Sequence, residues 1–197
     1  MSDTYKTITT LAEGIYKEKG SKFLSFAIPV GDVEEVKDIV KEFRKRFFDA
    51  RHVCYAYMLG VEKTEFRAND DGEPSGTAGR PILGQINSRE LTNVLVIVVR
   101  YFGGILLGTG GLVTAYKEAT ADALHQAEII EKTVEVTVTV HFDYMLMNNV
   151  MRIVKDTNAI VVSQDFDNDC IMQISIRKQD AELLTAKLEK VIGLTIE

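Results

Sequence analysis

Cysteine and long apolar runs are both scarce in this chain, and each scarcity closes a class of function. Cys54 and Cys170 stand alone, without a CxxC or a Cys/His cluster, which argues against both a zinc site and a disulfide framework. They are expected to be reduced and packed. The longest uninterrupted apolar run, Val94 to Val99, falls far short of the ~20 residues a membrane-spanning helix needs, so no membrane partner is expected. The opening MSDTYKTITT has neither a basic n-region nor an apolar h-region, which leads us to expect no secretory signal and a cytoplasmic location.

An excess of positive charge is missing too. The 197 residues carry a formal net charge of −6. Residues 1–132 hold 17 Lys and Arg against 19 Asp and Glu, and residues 133–197 hold 6 against 10, so neither half is a basic module. Nonspecific nucleic-acid binding is driven mainly by phosphate neutralisation, so any such function needs a local patch. Lys41, Arg44, Lys45, Arg46 and Arg51 offer one at the end of the first expected helix, where they also complement a helix C-terminus.

What is present is a clear succession of elements. Segments 14–19 and 22–30 read as a hairpin about Gly20-Ser21. Gly31-Asp32 then starts a helix in which Val33, Val36, Ile39, Val40, Phe43 and Phe47 recur at helical spacing. A strand over 52–61 alternates, with His52, Cys54, Ala56 and Met58 on one face and Val53, Tyr55, Tyr57 and Leu59 on the other. Residues 62–80 read as a long polar loop and 81–88 as a short helix. The strand Val94 to Arg100 has the continuous apolar character of a central strand buried on both faces. A helix ending near Ala127 follows, with Leu112, Tyr116, Ala119 and Ala123 along one face.

Beyond Glu131 the pattern restarts. Strands at 133–141, 159–165, 170–177 and 194–196 and helices at 143–156 and 179–191 give the order β-α-β-β-α-β, with an Asp-Asn-Asp turn between the middle strands. This is the split βαβ, ferredoxin-like arrangement. The expectation is an α+β chain of two domains, 1–132 and 133–197, although no Pro- or Gly-rich linker separates them.

Two stretches stand out chemically. In VVRYFGGILLGTGGLV, residues 98–113, five glycines fall between a strand and a helix. A P-loop requires GxxxxGK[ST], but aligning Gly103 with Gly108 puts Thr109 at the lysine and Gly110 at the hydroxyl position, so that reading fails. A dinucleotide fingerprint would need its third glycine at Val113. A more general reading survives: successive glycine N–H groups at a helix N-terminus can face an anion, assisted by Arg100 and Lys117. The same glycines also permit positive φ and a close approach of strand and helix. Both readings stay open.

The second stretch is RANDDGEPSGTAGRP, residues 67–81. An EF-hand is excluded, since counting back from Gly72 puts Arg67 at the obligatory acidic position. Ser75 can be imagined as a nucleophile with His52 and Asp70, yet its context is EPSG rather than GxSxG. A polar turn leading into a Gly-Arg-Pro helix entrance explains the stretch as well. His52 and Cys54 share a strand face, which permits neighbouring side chains without defining a reactive dyad.

DDGEPSGTAGRPIL (70–83) followed by VVRYFGGILLGTGGLVTAY (98–116), with RHVCYA (51–56), resembles the signature of the IMPACT/YigZ family. The resemblance runs through essentially the whole chain. It implies an N-terminal α/β domain similar to that of a small-subunit ribosomal protein and to domain IV of elongation factor G. It also implies a ferredoxin-like C-terminal domain similar to domain V of that factor. The function implied is a non-enzymatic regulatory or binding protein linked to translation, engaging RNA, the ribosome or a translation-associated protein, with no cofactor and no metal. On that reading Arg80, Arg100, Gly103, Gly104, Gly108, Gly110, Gly111 and Lys117 face phosphate. His52, Asp70, Asp71, Glu73, Ser75 and Thr77 belong to the family motif without an assigned role. Two alternatives remain: an enzyme acting on a small phosphorylated or acyl substrate at the same loops, and a protein-interaction scaffold, whose sign would be an exposed apolar patch on the C-terminal sheet.

Overall fold

The computed structural model describes residues 3–166 and 170–197. It divides into two compact units, Tyr5–Lys132 and Thr133–Glu197, the latter joined by Asp3 and Thr4.

The first unit is built on a five-stranded sheet. Its strands are β2 (Ala12–Glu18), β3 (Ser21–Pro29), β4 (His52–Leu59), β5 (Glu65–Asn69) and β6 (Val94–Tyr101), in the order β2-β3-β6-β4-β5, with every pairing antiparallel. The expected alternation of β4 holds. Cys54, Ala56 and Met58 enter one core cluster while Val53, Tyr57 and Leu59 enter the other. In the central strand β6, Val94, Val96 and Val98 face the first cluster and Leu95, Ile97 and Val99 the second. Each such side chain contributes about 1.5–3 kcal/mol relative to exposure.

Helices cover both faces. On the first lie α2 (Gly79–Ser88) and α3 (Gly108–Gln126), the latter through Leu112, Tyr116, Ala119 and Ala123. On the second lies α1 (Val33–Arg46), through Val36, Val40 and Phe43. The start expected at Gly31-Asp32 is a reciprocal cap. Asp32 Oδ1 accepts from Glu35 N at 2.9 Å, and Glu35 Oε2 accepts from Gly31 N at 2.7 Å.

Three strands depart from the expected pattern. β5 lies inside the segment expected to be loop, as an edge strand with no buried residue. A short strand β1 (Thr4–Ile8) pairs with β7 (Ile129–Thr133), outside the main sheet. All three are exposed or half-exposed along most of their length, so no alternation marks them.

The second unit runs β8 (Glu135–Phe142), α4 (Met147–Asp156), β9 (Ile160–Phe166), β10 (Cys170–Arg177), α5 (Ala181–Leu188) and β11 (Thr195–Ile196). Its sheet order is β11-β8-β10-β9, the split βαβ topology. Val150, Val154, Leu184 and Leu188 of the helices pack on Val140, Phe142, Met172 and Ile174. The Asp-Asn-Asp turn lies outside the described residues. Cross-strand pairing sets Thr137, Thr139 and His141 opposite Ser175, Gln173 and Ile171 on the face away from that core. Ile160 of β9, opposite Ser175, is also exposed there, as is Ile171, so this face mixes polar and apolar side chains.

Candidate functional site

The segment after β5 is organised by one carboxylate. Asp70 accepts from the backbone N–H groups of Gly76 (2.8 Å), Ala78 (3.0 Å) and Gly79 (2.8 Å), so it closes the loop and caps the start of α2. Burial pushes its pKa up, but these backbone donors and the nearby Arg80 charge more than offset that and hold it below the usual aspartate value. A carboxyl with a depressed folded-state pKa contributes stability above its ordinary value of 3.8 and loses it as the pH falls through the folded value. Asp70→Ala is therefore expected to cost about 1–2 kcal/mol at neutral pH through the lost cap. It should also flatten the loss of stability below about pH 4, a change read by urea unfolding across pH.

Asp71 ties the loop to the sheet. Its Oδ2 accepts from Val53 N at 2.7 Å, its Oδ1 accepts from Arg44 Nη2 at 2.7 Å, and its carbonyl accepts from His52 Nδ1 at 2.8 Å. That hydrogen bond leaves Nε2 as the free ring nitrogen of His52, 3.8 Å from Glu73 Oε2.

Glu73 brings the two unusual stretches together. Its Oε1 accepts from Arg100 Nη1 on β6 at 2.5 Å and from the Tyr116 hydroxyl on α3 at 2.8 Å. Arg100 is only 5% exposed, and its guanidinium lies 5.5 Å from the ring of Phe23 and 5.7 Å from that of Phe102. Its Nε has no hydrogen-bond partner. Cys54 Sγ sits 3.0 Å from the Asp70 carbonyl and 3.3 Å from Tyr116 Oη. Burial pushes the thiol and the phenol well above their usual ranges, so both remain protonated donors.

Over this network opens a cleft of about 390 Å³, with Arg51, His52, Glu73 and Arg100 at its polar end and Phe102, Leu106, Leu107 and Leu112 as apolar walls. Gly108 and Thr109, the first residues of α3, form part of its rim. The helix start there contrasts with α2. No side chain caps α3 and its first turn holds no acidic residue, so its leading N–H groups are left to solvent or a ligand.

The glycines divide into two roles. A Cβ on Gly103 would lie 1.9 Å from the carbonyl carbon of Gly20, so this glycine lets the 101–107 loop touch the β2-β3 hairpin. Gly104 and Gly108 adopt positive φ. Gly111 would meet only Leu107 Cβ, at 3.0 Å. Gly110 has no such constraint: a Cβ there would meet nothing within 4 Å, and its φ lies outside the left-handed range. A glycine inside a helix costs about 1 kcal/mol relative to alanine, and no contact within the unit accounts for it.

The other expected residues are placed differently. Arg100 is a buried partner of Glu73 rather than a surface phosphate contact. Arg80 and Lys117 are exposed, but neither lines the cleft. Thr77 Oγ1 donates to the Pro74 carbonyl at 2.6 Å inside the loop. Ser75 is exposed and Asp70 is engaged with backbone, so the imagined Ser75-His52-Asp70 relay is not assembled. Sequence reasoning missed Tyr116 as a partner of Glu73, although it is the one phenol on the otherwise small and aliphatic inner face of α3.

The described network lies within residues 19–124, which match the family model of the Impact N-terminal domain. This chain belongs to the IMPACT family. It is 32% identical over 172 residues to "IMPACT family member YigZ" of Escherichia coli, covering 86% of this chain and 84% of that protein. It is 30% identical to "IMPACT family member YvyE" of Bacillus subtilis, covering 82% and 74% respectively. A crystal structure of a hypothetical protein, 28% identical, superposes with a TM-score of 0.76 over 100% of this chain and 97% of the other. In this IMPACT family member, His52, the 70–78 loop, Arg100 and the whole glycine stretch all fall inside the matched domain.

Proposed function

We propose that this IMPACT family member is a translation-linked regulatory protein that works by binding rather than catalysis, engaging RNA phosphate or the ribosome at the rim formed by residues 104–111. The translation link rests on membership of the IMPACT family. The observation that carries the rim is the uncapped start of α3, with Gly110 leaving its backbone open on a side where nothing in the unit needs the space. Arg51 supplies a cation at the same cleft. Arg100 supports the rim from below, and its charge is largely answered by Glu73. Arg80 and Lys117 then act as peripheral cations rather than as direct rim contacts.

Backbone amides and a cleft with two guanidiniums against one carboxylate give a contact that salt weakens. The chain is expected to co-sediment with ribosomes at low salt and to be released at high salt. Free protein under both conditions would remove this reading.

A second reading draws on the same cleft. A volume of about 390 Å³ with apolar walls and three convergent polar side chains, His52, Glu73 and Arg100, is of the size and character that takes a small acyl or phosphorylated molecule. The protonated state of Cys54 and the position of Ser75 weigh against a nucleophile there.

A further inference from the structure

The basic patch noted in the sequence is not one surface. Arg46 lies 5.0 Å from the ring of Phe47, Arg51 lines the cleft, and Lys41, Arg44 and Lys45 turn into a separate groove between α1 and the β4-β5 edge. Two cations that the sequence reading did not group with them, Lys37 from α1 and Arg67 from β5, complete its lining. Complementing a helix C-terminus cannot account for these two. Arg67 is on a strand, and Lys37 is in the first half of the helix.

Residues 37, 41, 44 and 45 of α1 line the groove together with Val33, Val36 and Val40. Lys37 is paired with Glu34, and Arg44 with Asp71. Lys41, Lys45 and Arg67 have no carboxylate partner among the described residues, and no acidic residue lines the groove. Between the cations the floor is apolar and aromatic, with half-buried Tyr55 beside Val36 and Val40. The groove encloses about 420 Å³.

We infer that this groove binds a single-stranded polynucleotide, with phosphates on Lys41, Lys45 and Arg67 and a base against the Tyr55 floor. A duplex offers its phosphates but keeps its bases stacked inside, so it leaves that floor unfilled. A single strand satisfies both features at once. This surface is separate from the rim of the cleft, so the inference stands or falls independently of the rim's role.

The test is fluorescence anisotropy of a labelled 12-nucleotide oligouridylate, titrated with the full chain at several salt concentrations. The reference variant is Lys41→Gln/Lys45→Gln/Arg67→Gln, whose three positions are exposed and form no ion pair among the described residues, and circular dichroism checks that it is folded. Wild type is expected to bind at low salt. The triple variant should bind at least about tenfold more weakly, with the slope of log K against log salt reduced by about 2, as expected for three lost phosphate contacts on a single strand. Lys155→Gln, an exposed cation on α4 outside the groove, should leave both quantities nearly unchanged. No binding by wild type at low salt, an unchanged affinity and slope in the triple variant, or tighter binding of a 12-base-pair duplex than of the single strand would overturn the inference.

Discussion

Glu73→Ala is expected to destabilise the first unit by about 3–5 kcal/mol, the usual cost of breaking a buried ion pair from one side. The substitution strips Arg100 of its one carboxylate partner among the described residues and Tyr116 of its acceptor, in a site where both side chains are almost wholly buried. A guanidinium already lacking a partner at Nε is then left with less compensation still. Replacing both members of the pair, as Glu73→Met/Arg100→Met, should recover much of that loss, because no uncompensated charge remains. Urea unfolding of the three proteins reads the difference as a shift in midpoint. A loss below about 1 kcal/mol in the single variant would mean that the pair is solvated rather than buried. For the same reason Arg100→Ala is a poor probe of binding: lost affinity would be inseparable from lost structure.

Gly103→Ala is expected to cost about 3 kcal/mol through steric overlap. Its Cβ would lie 1.9 Å from Gly20 C and 2.2 Å from Ser21 N, and these are backbone atoms held in the β2-β3 turn. No rotamer change relieves such a clash, so the hairpin or the 101–107 loop has to move. Gly110→Ala, seven residues on, should instead be neutral or stabilising by about 0.5–1 kcal/mol, since its Cβ enters open space within a helix. Thermal unfolding of the two variants side by side checks the contrast. Equal behaviour would undo the division of the glycines into a packing role and an open role.

This division was invisible in VVRYFGGILLGTGGLV, where the glycines look alike. What could be read there was the helix after them, because Leu112, Tyr116, Ala119 and Ala123 repeat at helical spacing and do form its buried face. Lys117 is one residue beyond Tyr116 and so is carried about 100° around the helix, away from the core. The alternation of β4 and the continuous run of β6 were equally legible, since each residue's burial is set by its parity in a strand covered on both faces. The β-α-β-β-α-β order of the second unit was legible for the same reason.

Edge strands escaped because their residues are not buried in alternation, as β5 shows. The Glu73-Arg100 pair escaped for another reason. Glu73 sits in a polar, glycine-containing stretch and Arg100 at the end of an apolar strand, and only the fold makes them a buried pair 27 positions apart. The α1 groove needed both causes: part of its charge was visible as a helical cluster, while Arg67 sat on the strand that the sequence pattern did not reveal.

Co-sedimentation of Gly110→Glu with ribosomes at low salt, beside the wild type, tests the rim most directly. A carboxylate in the first turn favours the helix dipole by about 0.3–1 kcal/mol, so the variant should fold at least as well as its parent. Placed on the open side of that turn, it occupies and repels the position assigned to phosphate. The account predicts that wild type pellets with the ribosomes while the folded variant stays in the supernatant. A variant that pellets as fully as the wild type would contradict it.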